Sequence, residues 1–237
     1  MLDGRLRNGV QQGLTPIGAG LRRIGVTANL LTVLGLMASI VTAVLIGTGN
    51  LIWGVVGLVV SGLLDVLDGT VARGSGNAGP RGSFFDSVAD RVSDALLLGG
   101  VAWYLAAESA YLPILAFAVA ALGATISYER AKAESLGLTA KGGLMERAER
   151  MILLGVGLAF GVLVPVLWIM LVLSAFTVGQ RFIMVWRQAG PPREPRRIRH
   201  RREVTGEDSP RRRWWEPRPG SSRARRERTR AGRRTRP

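Results

Sequence analysis

No cysteine occurs in the 237-residue chain, so disulfide bonds and thiolate–metal chemistry are excluded. Histidine occurs once, as His200 in a basic tail, where no specific role is expected of it. Residues 1–23 lack the uninterrupted apolar core of a cleavable signal peptide. Instead Leu2, Leu6, Val10, Leu14, Ile17 and Leu21 recur at helical spacing among polar residues, the pattern of an amphipathic helix lying on a membrane surface. Lysine and arginine are missing from three turns between apolar blocks: Gly47-Thr48-Gly49-Asn50, Ala106 to Tyr111, and Gly161 to Pro165.

Apolar sequence, by contrast, is abundant and comes in long blocks. Six of them, near 27–48, 51–73, 83–107, 111–133, 146–163 and 165–187, are each long enough to cross a bilayer core at about 1.5 Å per residue. The fifth and sixth are separated by little more than Val164-Pro165. The expected fold is all-α and polytopic: an amphipathic juxtamembrane segment (1–23), a domain of six transmembrane helices (24–188) and a disordered Arg-rich cytoplasmic tail (189–237). Cations retained on the cytoplasmic ends of spans set the orientation. With both termini inside the cell membrane, Arg22, Arg23, Arg73, Arg81, Arg91, Arg130, Lys132, Lys141, Arg147, Arg150, Arg181 and Arg187 all fall at the inner face.

From Ala189 onward there are 18 Arg against 6 acids, a net +12 of the chain's +15, which leaves +3 for residues 1–188. With few aliphatic side chains, that segment cannot bury enough surface to offset its ordering entropy. Adsorption to anionic membrane lipids is expected of it. Nucleic-acid binding is not expected, because Trp214-Trp215 is its one aromatic pair and no folded reader module is apparent.

The acids within the apolar blocks demand a different explanation. Asp65 and Asp68 are followed by Gly69, Ala72 and Arg73, and Gly82, Asp86 and Asp90 open the next block. An ionised side chain in a membrane span costs roughly 2.5 to 3.5 kcal/mol even on a lenient scale, so four need a compensating cation. On helices, Asp65 and Asp68 share one face and Asp86 and Asp90 share another, so a short loop between the helices aims all four at one point. Hard oxygen donors in that number suit magnesium or manganese together with substrate phosphates. Gly69 lets a ligand approach the backbone, Ala72 extends that small surface, and Arg73 suits a diphosphate. Asp94, four residues beyond Asp90, is expected to play a structural part. Plain helix-end pairing of these acids with Arg73, Arg81 and Arg91, and a cation transporter built on them, are the alternatives.

Together Asp65, Asp68, Gly69, Ala72, Arg73, Gly82, Asp86 and Asp90 meet the pattern D-x2-D-G-x2-A-R-x8-G-x3-D-x3-D, which resembles the signature of CDP-alcohol phosphotransferases. The resemblance implies a six-span membrane enzyme that binds a CDP-linked lipid and two divalent cations per active site, as a homodimer. It further implies that Asp65, Asp68 and Asp86 are metal ligands and that Asp90 is both a ligand and the base for the acceptor hydroxyl. Val26 to Thr32 resembles the family segment that contacts the nucleotide. The implied CDP-diacylglycerol set is Asn29, Leu30, Leu31, Thr32, Asp65, Asp68, Gly69, Ala72, Arg73, Gly79 and Gly82.

Arg130, Lys132, Arg147, Arg150 and Arg181 cluster at the inner helix ends and suit an acceptor that already carries a phosphate. Their segments resemble a branch of the same family, the bacterial phosphatidylinositol-phosphate synthases. That implies transfer of the phosphatidyl group from CDP-diacylglycerol to inositol 1-phosphate with release of CMP. Glycerol 3-phosphate, the acceptor of phosphatidylglycerophosphate synthases, is the rival.

Overall fold

Prolines and caps punctuate the chain where helices must begin. Pro80 opens one helix, and Pro113 and Pro165 fall in the first turns of two others, where a missing N–H is no loss. The Thr27 hydroxyl accepts from the Leu30 N–H at 3.3 Å and caps another. The structure, a computed structural model, describes residues 16–74, 79–140 and 142–190. Among the described residues its regular structure is seven helices joined by turns and loops, with no strand. Helix α1 covers residues 16–23, followed by α2 (Ala28–Gly47), α3 (Leu51–Gly74), α4 (Pro80–Ala106), α5 (Leu112–Ser135), α6 (Arg147–Ala159) and α7 (Leu163–Ala189). The expectations for residues 1–15, Lys141 and the Arg-rich tail lie outside the described residues.

The six apolar blocks correspond to α2 through α7, with one correction. α6 has only 13 residues, about 20 Å at 1.5 Å per residue, short of the ~30 Å hydrocarbon core. It ends because the chain turns at Gly161, whose φ of +66 an L side chain rarely adopts. The break expected at Val164-Pro165 therefore lies inside the first turn of α7.

α2, α3, α5 and α7 are each long and apolar enough to cross a membrane. α4 is long enough, but Asp86, Asp90, Arg91 and Asp94 interrupt its apolar character. The surface is oily and the interior holds small polar groups. Phe117 and Phe160 are 73% and 76% exposed, as are Trp53, Trp103, Trp168 and Trp186 by more than half. Ser39, Thr42, Ser174 and Thr177, meanwhile, are fully buried. Lipid reverses the usual sorting, because helices there associate through small residues and interhelical hydrogen bonds. Ser39 and Ser61 share such a bond, 2.7 Å between hydroxyls, joining α2 to α3. The chain is a multi-pass membrane protein.

α2 packs against α3 and α4, α5 against α4 and α7, and α6 against α3 and α7. At Gly100 of α4, an added Cβ would lie 2.8 Å from the Ala43 Cα, so these two helices touch backbone to backbone. Ile46, Leu105, Leu115, Leu158 and Leu163 belong to the main apolar core and close one end of the bundle. A smaller cluster of Leu31, Leu67 and Val71, with Leu21 of α1 against it, sits toward the other end. Because successive helices run in opposite directions, the N-terminal ends of α2, α4 and α6 meet the C-terminal ends of α3, α5 and α7 there.

Candidate active site

The carboxylates gather where these ends meet. Asp65 and Asp68 lie in the C-terminal half of α3, and Asp86, Asp90 and Asp94 follow one another at i, i+4 along α4, on one face. One oxygen from each of Asp65, Asp68 and Asp86 can be chosen so that all three lie within 4.8 Å of one another. Asp68 is buried, and the Thr32 hydroxyl at the start of α2 donates to its Oδ2 at 2.8 Å. That bond fixes the carboxylate and makes α2 part of the site.

α6 delivers two guanidinium groups to the acid face of α4. Arg147 Nη1 lies 2.8 Å from Asp65 Oδ1 and 2.8 Å from Asp90 Oδ1, so it joins α3 and α4. Its Nε donates to Asp94 Oδ1 at 3.1 Å, while Arg150 Nη2 donates to Asp94 Oδ2 at 2.6 Å. Asp94 thus holds both arginines, the structural part expected of it. Between these groups lies a cavity of about 10 Å³, lined by Thr32, Asp65, Asp68, Asp90, Ser93 and Arg147 among others, room for about one water. The donors converging here are oxygens of several carboxylates, a set that fits a hard divalent cation such as magnesium or manganese.

Around this cluster lie several of the residues expected to contact the donor. An added Cβ on Gly69 would meet the Arg73 guanidinium, 3.3 Å from Nη1, so that cation lies over the bare backbone. A Cβ on Gly82 would lie 3.7 Å from Asn29 Oδ1, which puts the start of α2 beside the first turn of α4. Gly79 is the N-cap of α4, without a side-chain cap bond. Ala72 is half-buried and Leu30 exposed, whereas Leu31 is buried in the cluster with Leu67 and Val71 and supports the segment from inside.

The five expected acceptor-phosphate cations are split into three groups. Arg147 and Arg150 stand on the acid face. Arg181 of α7 is 2% exposed, with Nε donating to the Gly142 carbonyl at 2.9 Å, Nη1 to the Ile126 carbonyl at 3.0 Å and Nη2 to Glu146 Oε1 at 3.1 Å. Arg130 is exposed and pairs with Glu134 at 3.0 Å, and Lys132 lies in the last turn of α5. At Gly143, with φ +147, a Cβ would be strained and would come within 2.6 Å of Thr177 Cγ2, so glycine fits the close approach beside Arg181. The α5–α6 connection is therefore clasped onto α7, and Glu146, which no sequence pattern singled out, completes the clasp. Arg181→Met leaves Glu146 and two carbonyls without their partner. It is expected to cost about 3 kcal/mol, read as a fall of roughly 6–12 °C in the melting temperature of the detergent-solubilised protein.

This arrangement can be set beside known proteins. Residues 25–186 match the family model described as CDP-alcohol phosphatidyltransferase. The phosphatidylinositol phosphate synthase of Mycobacteroides abscessus is 36% identical over 176 residues, which cover 70% of this chain and 80% of that protein. The structure of Mycobacterium tuberculosis phosphatidylinositol phosphate synthase with CDP-DAG bound matches with a TM-score of 0.67 at 34% identity, over 73% of this chain and 92% of that one. The same enzyme in complex with manganese and citrate matches with a TM-score of 0.68 at 34% identity, over 73% and 88%. From its matched span and the identity of these relatives, the chain belongs to the CDP-alcohol phosphatidyltransferase family and is a phosphotransferase of that kind.

Proposed function

We propose that the chain transfers the phosphatidyl group of CDP-diacylglycerol to inositol 1-phosphate, forming phosphatidylinositol phosphate and CMP. The observation that carries this reading is the convergence of Asp65, Asp68 and Asp86 within 4.8 Å at a cation-rich end of a membrane bundle. Relatives identical at over a third of the aligned residues bear the name of that activity. Asp65, Asp68, Asp86 and Asp90 hold two divalent ions, magnesium or manganese. When bound, these supply charge neutralisation to the diphosphate and polarise the transferred phosphorus.

The donor segment at Asn29, Leu30, Leu31 and Thr32, with Gly69, Ala72, Arg73, Gly79 and Gly82, seats the cytidine diphosphate while the acyl chains stay in lipid. Arg130, Lys132, Arg147, Arg150 and Arg181 receive the phosphate of the acceptor. Asp90 takes the proton of a free inositol hydroxyl, and that oxygen attacks the lipid-side phosphorus. The bond from this phosphorus to the bridging oxygen breaks, and CMP leaves with that oxygen. Positioning and charge neutralisation do most of the catalysis.

The proposal includes the domain division at residues 23 and 188, six spans completed by α4 and by α6, whose short length is met by local thinning of the bilayer, a homodimer, and a cell-membrane location with both termini and the site facing the cytoplasm. Support for the orientation comes from turns 48–50, 107–111 and 160–162, which carry no Lys or Arg, whereas the described cations all fall toward the opposite end. One assay addresses substrate and sidedness together: CMP release from CDP-diacylglycerol in sealed membrane vesicles, with inositol 1-phosphate or glycerol 3-phosphate outside. Release is expected with inositol 1-phosphate in inverted vesicles and not in right-side-out ones. Preference for glycerol 3-phosphate would reassign the acceptor, and release from right-side-out vesicles alone would reverse the topology.

A further inference from the structure

Arg147 reaches oxygens that a metal ion would also need. Its Nη1 stands 2.8 Å from Asp65 Oδ1 and 2.8 Å from Asp90 Oδ1, the length of charge-assisted hydrogen bonds. A small dication shared by those carboxylates binds oxygen at about 2.0–2.1 Å and draws on the same lone pairs. Two cations so close to the same oxygens also repel each other. Nη1 and an ion shared by Asp65 and Asp90 therefore compete for the same oxygens.

The rest of the guanidinium is anchored. Nε donates to Asp94 Oδ1 at 3.1 Å, and Asp94 is held in turn by Arg150 at 2.6 Å. Arg150 is itself 2% exposed and donates to the Met145 carbonyl at 3.4 Å. An added Cβ on Gly123 would lie 3.3 Å from its Cζ, so α5 backs it closely. Arg147 is thus tied to Asp94 on one side and offers a single nitrogen to the carboxylates on the other.

We propose that Arg147 is a tethered competitor for the divalent ion shared by Asp65 and Asp90, kept beside the site by Asp94 when the ion displaces it. The ion must replace a charge that already offsets part of that of both acids, so its affinity is held below what the carboxylates alone would give. The displaced guanidinium remains at the site, where its charge is available to substrate phosphate. This inference rests on the reading of the four aspartates as metal ligands.

Mn²⁺ titration of the purified full-length protein in detergent, without substrates, tests it by the electron paramagnetic resonance signal of the free ion. Arg147→Gln is expected to tighten the weaker Mn²⁺ site about tenfold or more, and to enlarge the rise in melting temperature that Mn²⁺ produces. A merely structural arginine would give the opposite sign, since loosening the site weakens binding. Arg147→Lys, whose single ammonium cannot span Asp94 and the Asp65–Asp90 pair together, provides a second variant and should tighten binding by a smaller factor. Unchanged or weakened Mn²⁺ affinity in either folded variant overturns the inference alone. A wild-type protein that binds no Mn²⁺ overturns the reading of the aspartates with it.

Discussion

Replacing Asp90 by asparagine is expected to lower turnover by about 10³-fold, the scale of a lost general base, while CDP-diacylglycerol binding stays measurable. The amide keeps the shape and an oxygen for Arg147 Nη1, so the junction of α3, α4 and α6 survives. It loses the negative charge that accepts a proton and helps hold a cation. CMP release gives the rate, and the shift in melting temperature on adding CDP-diacylglycerol reports binding. A variant that retains activity within tenfold of the parent would take Asp90 out of the chemistry. Loss of both readouts together would mean that the substitution damages the donor site as well.

Stripping divalent cations with a chelator is expected to reduce product formation to background, a fall of at least ~10³-fold, since the diphosphate's charge would face the acids unscreened. Magnesium or manganese added back should restore the rate in a saturable manner. The fold should outlast the treatment, because Asp65, Asp90 and Asp94 retain Arg147 and Arg150 as protein partners. The measurements are CMP release and the melting temperature before and after chelation. An unchanged rate in chelator would remove ions from the reaction, and restoration by high salt alone would reduce their role to screening.

Much of the fold is legible in the chain because membrane helices advertise themselves as long apolar runs, and α2, α3 and α5 begin and end within a few residues of the blocks. α6 is the exception. Its apolar run continues through Phe160 and Val162, so composition alone hides the turn that Gly161 makes possible. The aspartate face was legible for a simpler reason: positions 86, 90 and 94 are spaced by one helical turn whatever surrounds them. Their partners were not. Arg147 lies 53 residues beyond Asp94, and its basic neighbours at helix ends look alike in sequence. Only packing reveals that Arg147 and Arg150 turn toward Asp94 while Arg181 turns toward Glu146 and two backbone carbonyls. Asn29 and Gly82 likewise become neighbours through the fold rather than through any shared pattern.

The apolar plug formed by Ile46, Leu105, Leu115, Leu158 and Leu163 bears on how a bilayer grows. It packs the end of the bundle opposite the aspartates with apolar side chains, a barrier to a charged headgroup. A newly made lipid must therefore slide out sideways into the leaflet from which its precursor came. Synthesis at such a centre expands one monolayer only, and the opposite monolayer keeps pace only if separate machinery flips lipids across.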